Sequence, residues 1–173
     1  MQFVGQLDLA ALAPFDPQRL LPEKGLLSFF AGNYDEGAIV HFDDLGALSP
    51  RAQPKDAKFS MFPAESGLAC PLEIRGATAV PREIEQKVDR DAWFELFEAH
   101  FREKNGKEPP HRMLGPTFGD VDGPEEGDHA LLAVRSDPNT GVEWGDYGTL
   151  YFLLDEASLR ARRFDEVVMR STD

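Results

Sequence analysis

Six ionisable side chains fall within ten positions of the chain: Asp120, Asp122, Glu125, Glu126, Asp128 and His129. An oxygen-rich loop of this kind can hold calcium. The EF-hand pattern, with alternating Asp or Asn and a Glu at the twelfth position, is missing. The stretch therefore reads as a solvated acidic loop, with Asp120, Asp122 and Glu125 as its candidate contact residues. The four histidines, His41, His100, His111 and His129, show no His-x-x-x-His spacing, and Cys70 is the lone cysteine. No metal site is expected from such a set. His111, just after Pro109-Pro110, is the best candidate for a functional imidazole. There is no Gly-x-Ser-x-Gly elbow, no phosphate-binding glycine loop before a helix and no paired carboxylates in a catalytic context. No cofactor is expected, and nothing positive points to an enzyme.

Trp144-Gly145-Asp146-Tyr147-Gly148 is the other cluster that could do work. Trp144 and Tyr147 can form an exposed platform for a ligand or partner. The same residue types also suit a strand entry, with glycines permitting a bulge and Asp146 capping turn N–H groups. Turn chemistry accounts for every residue of the motif, so the structural reading is favoured.

These residues need a scaffold, and composition bounds it. The chain has 173 residues, with 18 Lys+Arg against 31 Asp+Glu and a formal charge of −13. That balance argues against duplex nucleic acid and against an anionic membrane surface, both of which call for a basic face. It suits attraction of a basic protein partner. A lone cysteine cannot form an internal disulfide, no apolar run approaches a spanning length, and Met1-Gln2-Phe3-Val4 has no basic leader. The expected compartment is the cytoplasm.

Alternation predicts strands over 3–9, 25–31, 37–42, 68–74, 129–135, 148–154 and 164–169. The stripe Trp93, Leu96, Phe97, His100 and Phe101 predicts a long amphipathic helix over about 91–104. Asp155 is placed to cap a short helix over about 156–162. The expected class is α+β with mainly antiparallel sheets. Two segments share a plan, 4–8 with 25–30 and 133–137 with 148–153, which suggests a duplicated hairpin unit.

The segments Phe3-Val4-Gly5-Gln6-Leu7-Asp8-Leu9, Leu21–Phe30, His111-Arg112-Met113-Leu114-Gly115, Leu131–Asp137, Trp144-Gly145-Asp146 and Gly148–Phe152 occur in an order that resembles the YwqG-like family. The resemblance covers most of the chain, and its most specific part is the Trp-Gly-Asp segment before an aromatic strand. Gln6 keeps the glutamine of that family, while Gly119-Asp120 stands where a Gln is usual after the middle Leu-Gly. The resemblance implies a bacterial protein with one domain over 1–173, lacking the family's customary N-terminal segment, and an α+β fold with duplicated sheet units. It implies no activity, because the family is one of unknown function, and at most an interaction or immunity-type role.

Two functions are carried forward. The first is a non-enzymatic interaction module whose acidic surface meets a basic protein, through Asp120, Asp122, Glu125, Trp144, Asp146 and Tyr147. The second is an enzyme or small-ligand binder with a cleft between the repeated units, where Gln6, His111 and Asp146 converge. An open sheet edge covered by a second copy in a homodimer is a further expectation.

Overall fold

The computed structural model describes residues 1–32, 36–50, 71–74, 76, 89, 91–92, 95, 111–115, 128–138 and 142–172. Seven strands carry the architecture: β1 (Gln2–Asp8), β2 (Leu26–Ala31), β3 (Gly37–Phe42), β4 (His111–Gly115), β5 (Asp128–Arg135), β6 (Thr149–Asp155) and β7 (Val168–Ser171). The strands form two antiparallel sheets, a three-stranded one ordered β1-β2-β3 and a four-stranded one ordered β4-β5-β6-β7.

In the three-stranded sheet the pairs Leu7↔Leu27 and Gly5↔Phe29 set the register. Period-two alternation then turns Leu7, Leu27, Phe29 and Ile39 to one face, and all four are buried. A register shift between Phe3 and Gly5 lets Val4 pack against the same core. In the four-stranded sheet, Met113↔Leu132, Leu132↔Phe152 and Phe152↔Met169 form a row across all four strands. The rows meet where Phe29 and Phe152 stack edge to face, 5.2 Å between ring centres. Gly37 lies so close to β7 that a Cβ there would sit 2.8 Å from the Met169 Cβ. Both sheets thus share one core, with Trp144 and Leu159 in it. Each such buried large side chain is worth roughly 1.5–3 kcal/mol. The far face of the four-stranded sheet holds a second buried cluster, Ala130, Ala133, Tyr151 and Leu153. This is why β5 and β6 read as nearly continuous apolar runs rather than alternating ones.

Helices are short. α1 (Leu9–Leu12) follows Asp8, whose side chain accepts the Ala10 N–H at 2.9 Å. α2 (Glu156–Ala161) follows Asp155, which accepts the Ser158 N–H at 2.8 Å, as the sequence predicts. It ends on Arg162 in the left-handed conformation.

Several expectations are corrected. The α+β class with a long helix does not hold: the described residues form antiparallel sheets with helices of four and six residues. No long amphipathic helix is among the described elements. Of the span 91–104 only Asp91, Ala92 and Glu95 are described; the three are helical but too few to make a long helix, and the apolar stripe lies outside the described residues. The two strand pairs of the expected duplicated hairpin both form, and their connections differ. β1–β2 and β5–β6 are both antiparallel pairs, but α1 and a 3₁₀ turn (Ala13–Phe15) lie in the first connection and a stitched turn in the second. Residues 71–74 are not a strand, and 68–70 lie outside the described residues. Phe164–Glu166 is a 3₁₀ turn, so the last strand begins at Val168. β4 is a strand the sequence showed only as an extended path after two prolines.

Candidate functional site

Three of the candidate residues stand in the connection between β5 and β6, and His111 starts the strand beside it. His111 pairs with Val134 and Val134 with Leu150, so the start of β4, the end of β5 and the start of β6 lie at one end of the sheet.

The connection is built from its backbone. Ser136 Oγ accepts the Trp144 N–H at 2.8 Å and donates to the Gly148 carbonyl at 3.1 Å. Ser136 N–H also donates to the Gly148 carbonyl, at 3.0 Å, and Gly148 N–H to the Trp144 carbonyl, at 2.7 Å. Asp137 N–H reaches the Val142 carbonyl at 2.9 Å. One hydroxyl thus ties both ends of the 144–148 turn. A Cβ on Gly148 would land on the Thr172 carbonyl, so only glycine fits there.

Trp144 points inward and is 1% exposed. It is an anchor, which settles the motif in favour of its structural reading for this residue. Tyr147 does the reverse. It is 66% exposed and its φ is 60°, in the left-handed region. That conformation costs a non-glycine residue roughly 1–2 kcal/mol. Asp146 and Glu143 are exposed beside it. The tip therefore shows one aromatic ring and two carboxylates to solvent, on a turn clamped from behind.

His111 is half-buried. Its Nε2 lies 3.6 Å from Asp137 Oδ2, an ion-pair distance too long for a hydrogen bond. Its Nδ1 is buried with no hydrogen-bond partner among the described residues. Burial lowers the imidazole pKa from its ordinary value, and the Asp137 carboxylate opposes that shift.

A second polar cluster follows β6. Ser158 is wholly buried, and its Oγ lies 2.6 Å from Asp155 Oδ2, 2.5 Å from Glu166 Oε2 and 3.1 Å from Arg163 Nη2. Arg163 Nε donates to Glu166 Oε1 at 2.8 Å. The Ser158 hydroxyl lowers the pKa of both Asp155 and Glu166, aided by the Ser158 N–H at Asp155 and by Arg163 at Glu166. These charges are spent on one another.

The chain belongs to the DUF1963 family. The family model, described as a domain of unknown function, matches residues 1–171. No curated protein matches the chain. The DUF1963 domain brings Trp144, Asp146 and Tyr147 into one turn, with His111 at the same end of the sheet. It does not bring Gln6 there: Gln6 is exposed on the outer face of the three-stranded sheet, across from Ser28, with the core beneath. The convergence of Gln6, His111 and Asp146 in a cleft is therefore not formed. Asp120, Asp122 and Glu125 lie outside the described residues. Among the described residues no group of three His, Cys, Asp or Glu side chains could hold a metal ion, and no helix is long and apolar enough to cross a membrane. Sequence reasoning missed Ser136, Asp137 and Glu143. Ser136-Asp137-Pro138 reads as a turn, and the partners of its side chains depend on strand register.

Proposed function

We propose that this DUF1963 domain is a non-enzymatic interaction module of the YwqG-like kind that docks a basic protein partner on the Glu143–Tyr147 tip. The observation that supports it is Tyr147. A large aromatic side chain sits in a strained backbone conformation while two-thirds exposed, so folding gains little from it. Strain held at an exposed position is a mark of function. The chemistry fits a cationic side chain. An Arg or Lys can stack on the phenol ring while Asp146 and Glu143 take its charge. The net charge of −13 steers such a partner from a distance. A cytoplasmic, immunity-type role is the finer form of this reading: the resemblance is the source of the role, and the lone cysteine that of the compartment.

The test uses a nona-arginine peptide as the probe, with a nona-glutamate peptide as control, titrated calorimetrically at about 50 mM and about 500 mM salt. Binding of the basic peptide alone, weakened by salt and cut about tenfold or more in Tyr147→Ala, is expected. Salt-insensitive binding, or equal binding by Tyr147→Ala, would count against the proposal.

A further inference from the structure

The geometry points to β4 as a strand that a proton releases: charging His111 frees residues 111–115 from β5. Three independent features meet in this strand. It is the outermost strand of its sheet among the described elements, and none of its five residues is buried. Leu114 has a φ of 50°, a left-handed conformation that a γ-branched side chain adopts only under constraint. The strain coincides with a break in pairing, because the register runs Met113↔Leu132 and then Gly115↔Ala130. Finally, His111 opens the strand with a buried Nδ1 that has no hydrogen-bond partner among the described residues.

The proton count explains how these act together. In the neutral imidazole, Nε2–H faces Asp137 and Nδ1 holds only a lone pair. A buried acceptor without a donor is tolerable. In the charged form both nitrogens carry a proton, and Nδ1–H becomes a buried donor with no acceptor among the described residues. Asp137 is the charged group that faces the ring there. The other neighbours on that face, Val134 of β5 and Leu150 of β6, are apolar, while Arg112 and Arg135 alternate onto the opposite face. Water is the remaining acceptor. The shortest route to it is for β4 to peel from its His111 end, which also relaxes Leu114. The lowered pKa of the ring agrees, because the paired strand prefers the neutral form.

The sign follows. A group with a lower pKa in the paired strand than in the released one leaves pairing intact above the ordinary imidazole range. Pairing weakens as the pH falls below that range towards the lower value of the paired strand. The device is confined to one strand, because β5 keeps its full ladder to β6. After release β5 is the outermost strand.

Amide hydrogen exchange by NMR tests this, with protection referred to the intrinsic rate at each pH between about 8 and about 5. Protection of the β4 amides that donate to β5 is expected to fall by up to tenfold per unit below about pH 6.5, while that of Phe152 and Leu153 in β6 holds. In His111→Gln the fall disappears. Parallel behaviour of β4 and β6 in the wild-type protein would overturn the inference, whether or not the variant folds. So would a fall that persists in His111→Gln.

Discussion

β6 has a serine-centred clamp at each end, and the two are made of different things. Before the strand, Ser136 binds only backbone: the Trp144 N–H and the Gly148 carbonyl. After it, Ser158 binds Asp155, Glu166 and Arg163, all charged. The first clamp uses no charge, so the side chains on its outer surface, Glu143, Asp146 and Tyr147, are left to solvent. The second consumes its charges internally. The difference shows why carboxylates at 155–166 make a poor docking surface and those at 143–146 a good one. Acidic residues stand in both, Asp155, Glu156, Asp165 and Glu166 in one and Glu143 and Asp146 in the other, but only the second set shows no internal task among the described residues.

The comparison can be broken most forcefully from the first clamp. Trp144→Ala should cost about 3–5 kcal/mol, the usual loss for a large buried aromatic, measured as a shift in urea midpoint with unchanged slope. Gly148→Ala should cost about 1–3 kcal/mol or more, because the added methyl meets backbone that cannot step aside. A midpoint like the wild type's for either would show that the turn is not clamped. Next come the serines. Ser136→Ala leaves the Trp144 N–H without its acceptor, for about 1–3 kcal/mol. Ser158→Ala should cost less, about 1 kcal/mol, because the exposed carboxylates it releases can be rehydrated.

Acid sharpens the contrast. Asp155 and Glu166 both have lowered pKa values, so they are charged more readily in the folded protein than in the unfolded chain. Their contribution is complete above the ordinary carboxylate range and is lost as the pH falls through their lowered folded values. Thermal melts in that acid window should show the wild-type protein losing stability faster than Ser158→Ala. The Ser136 clamp has no such dependence, so Ser136→Ala should track the wild type. The smallest effect on folding is at Tyr147. Tyr147→Gly should leave stability unchanged or raise it by about 1 kcal/mol, since glycine accepts the left-handed conformation without cost. A substitution that stabilises the fold and removes binding is the signature of a functional residue.

The sequence discloses these two clamps unequally. Asp155 before an apolar-patterned helix is a visible cap, and the alternation in β1, β3 and the apolar runs of β2, β5 and β6 mark strands directly. The Trp144–Gly148 glycines announce a turn. Ser136, by contrast, acts on a residue eight positions away, and His111 faces Asp137 only because β4 pairs with β5. Such contacts depend on register, which no local pattern carries. α1 spans four residues, barely one helical period, so it leaves no stripe. β4 is half-buried along its whole length and bent at Leu114, so it shows no alternation. Phe164 mimics the start of a strand because it is apolar and buried, yet it belongs to a 3₁₀ turn.

The division between the two clamps is tested most directly by following backbone amide resonances while nona-arginine is added. The account predicts that Glu143, Asp146 and Tyr147 shift in proportion to one another and saturate together, with Glu156, Arg163 and Glu166 unmoved. Shifts centred on 155–166, or spread evenly over every acidic residue, would contradict it.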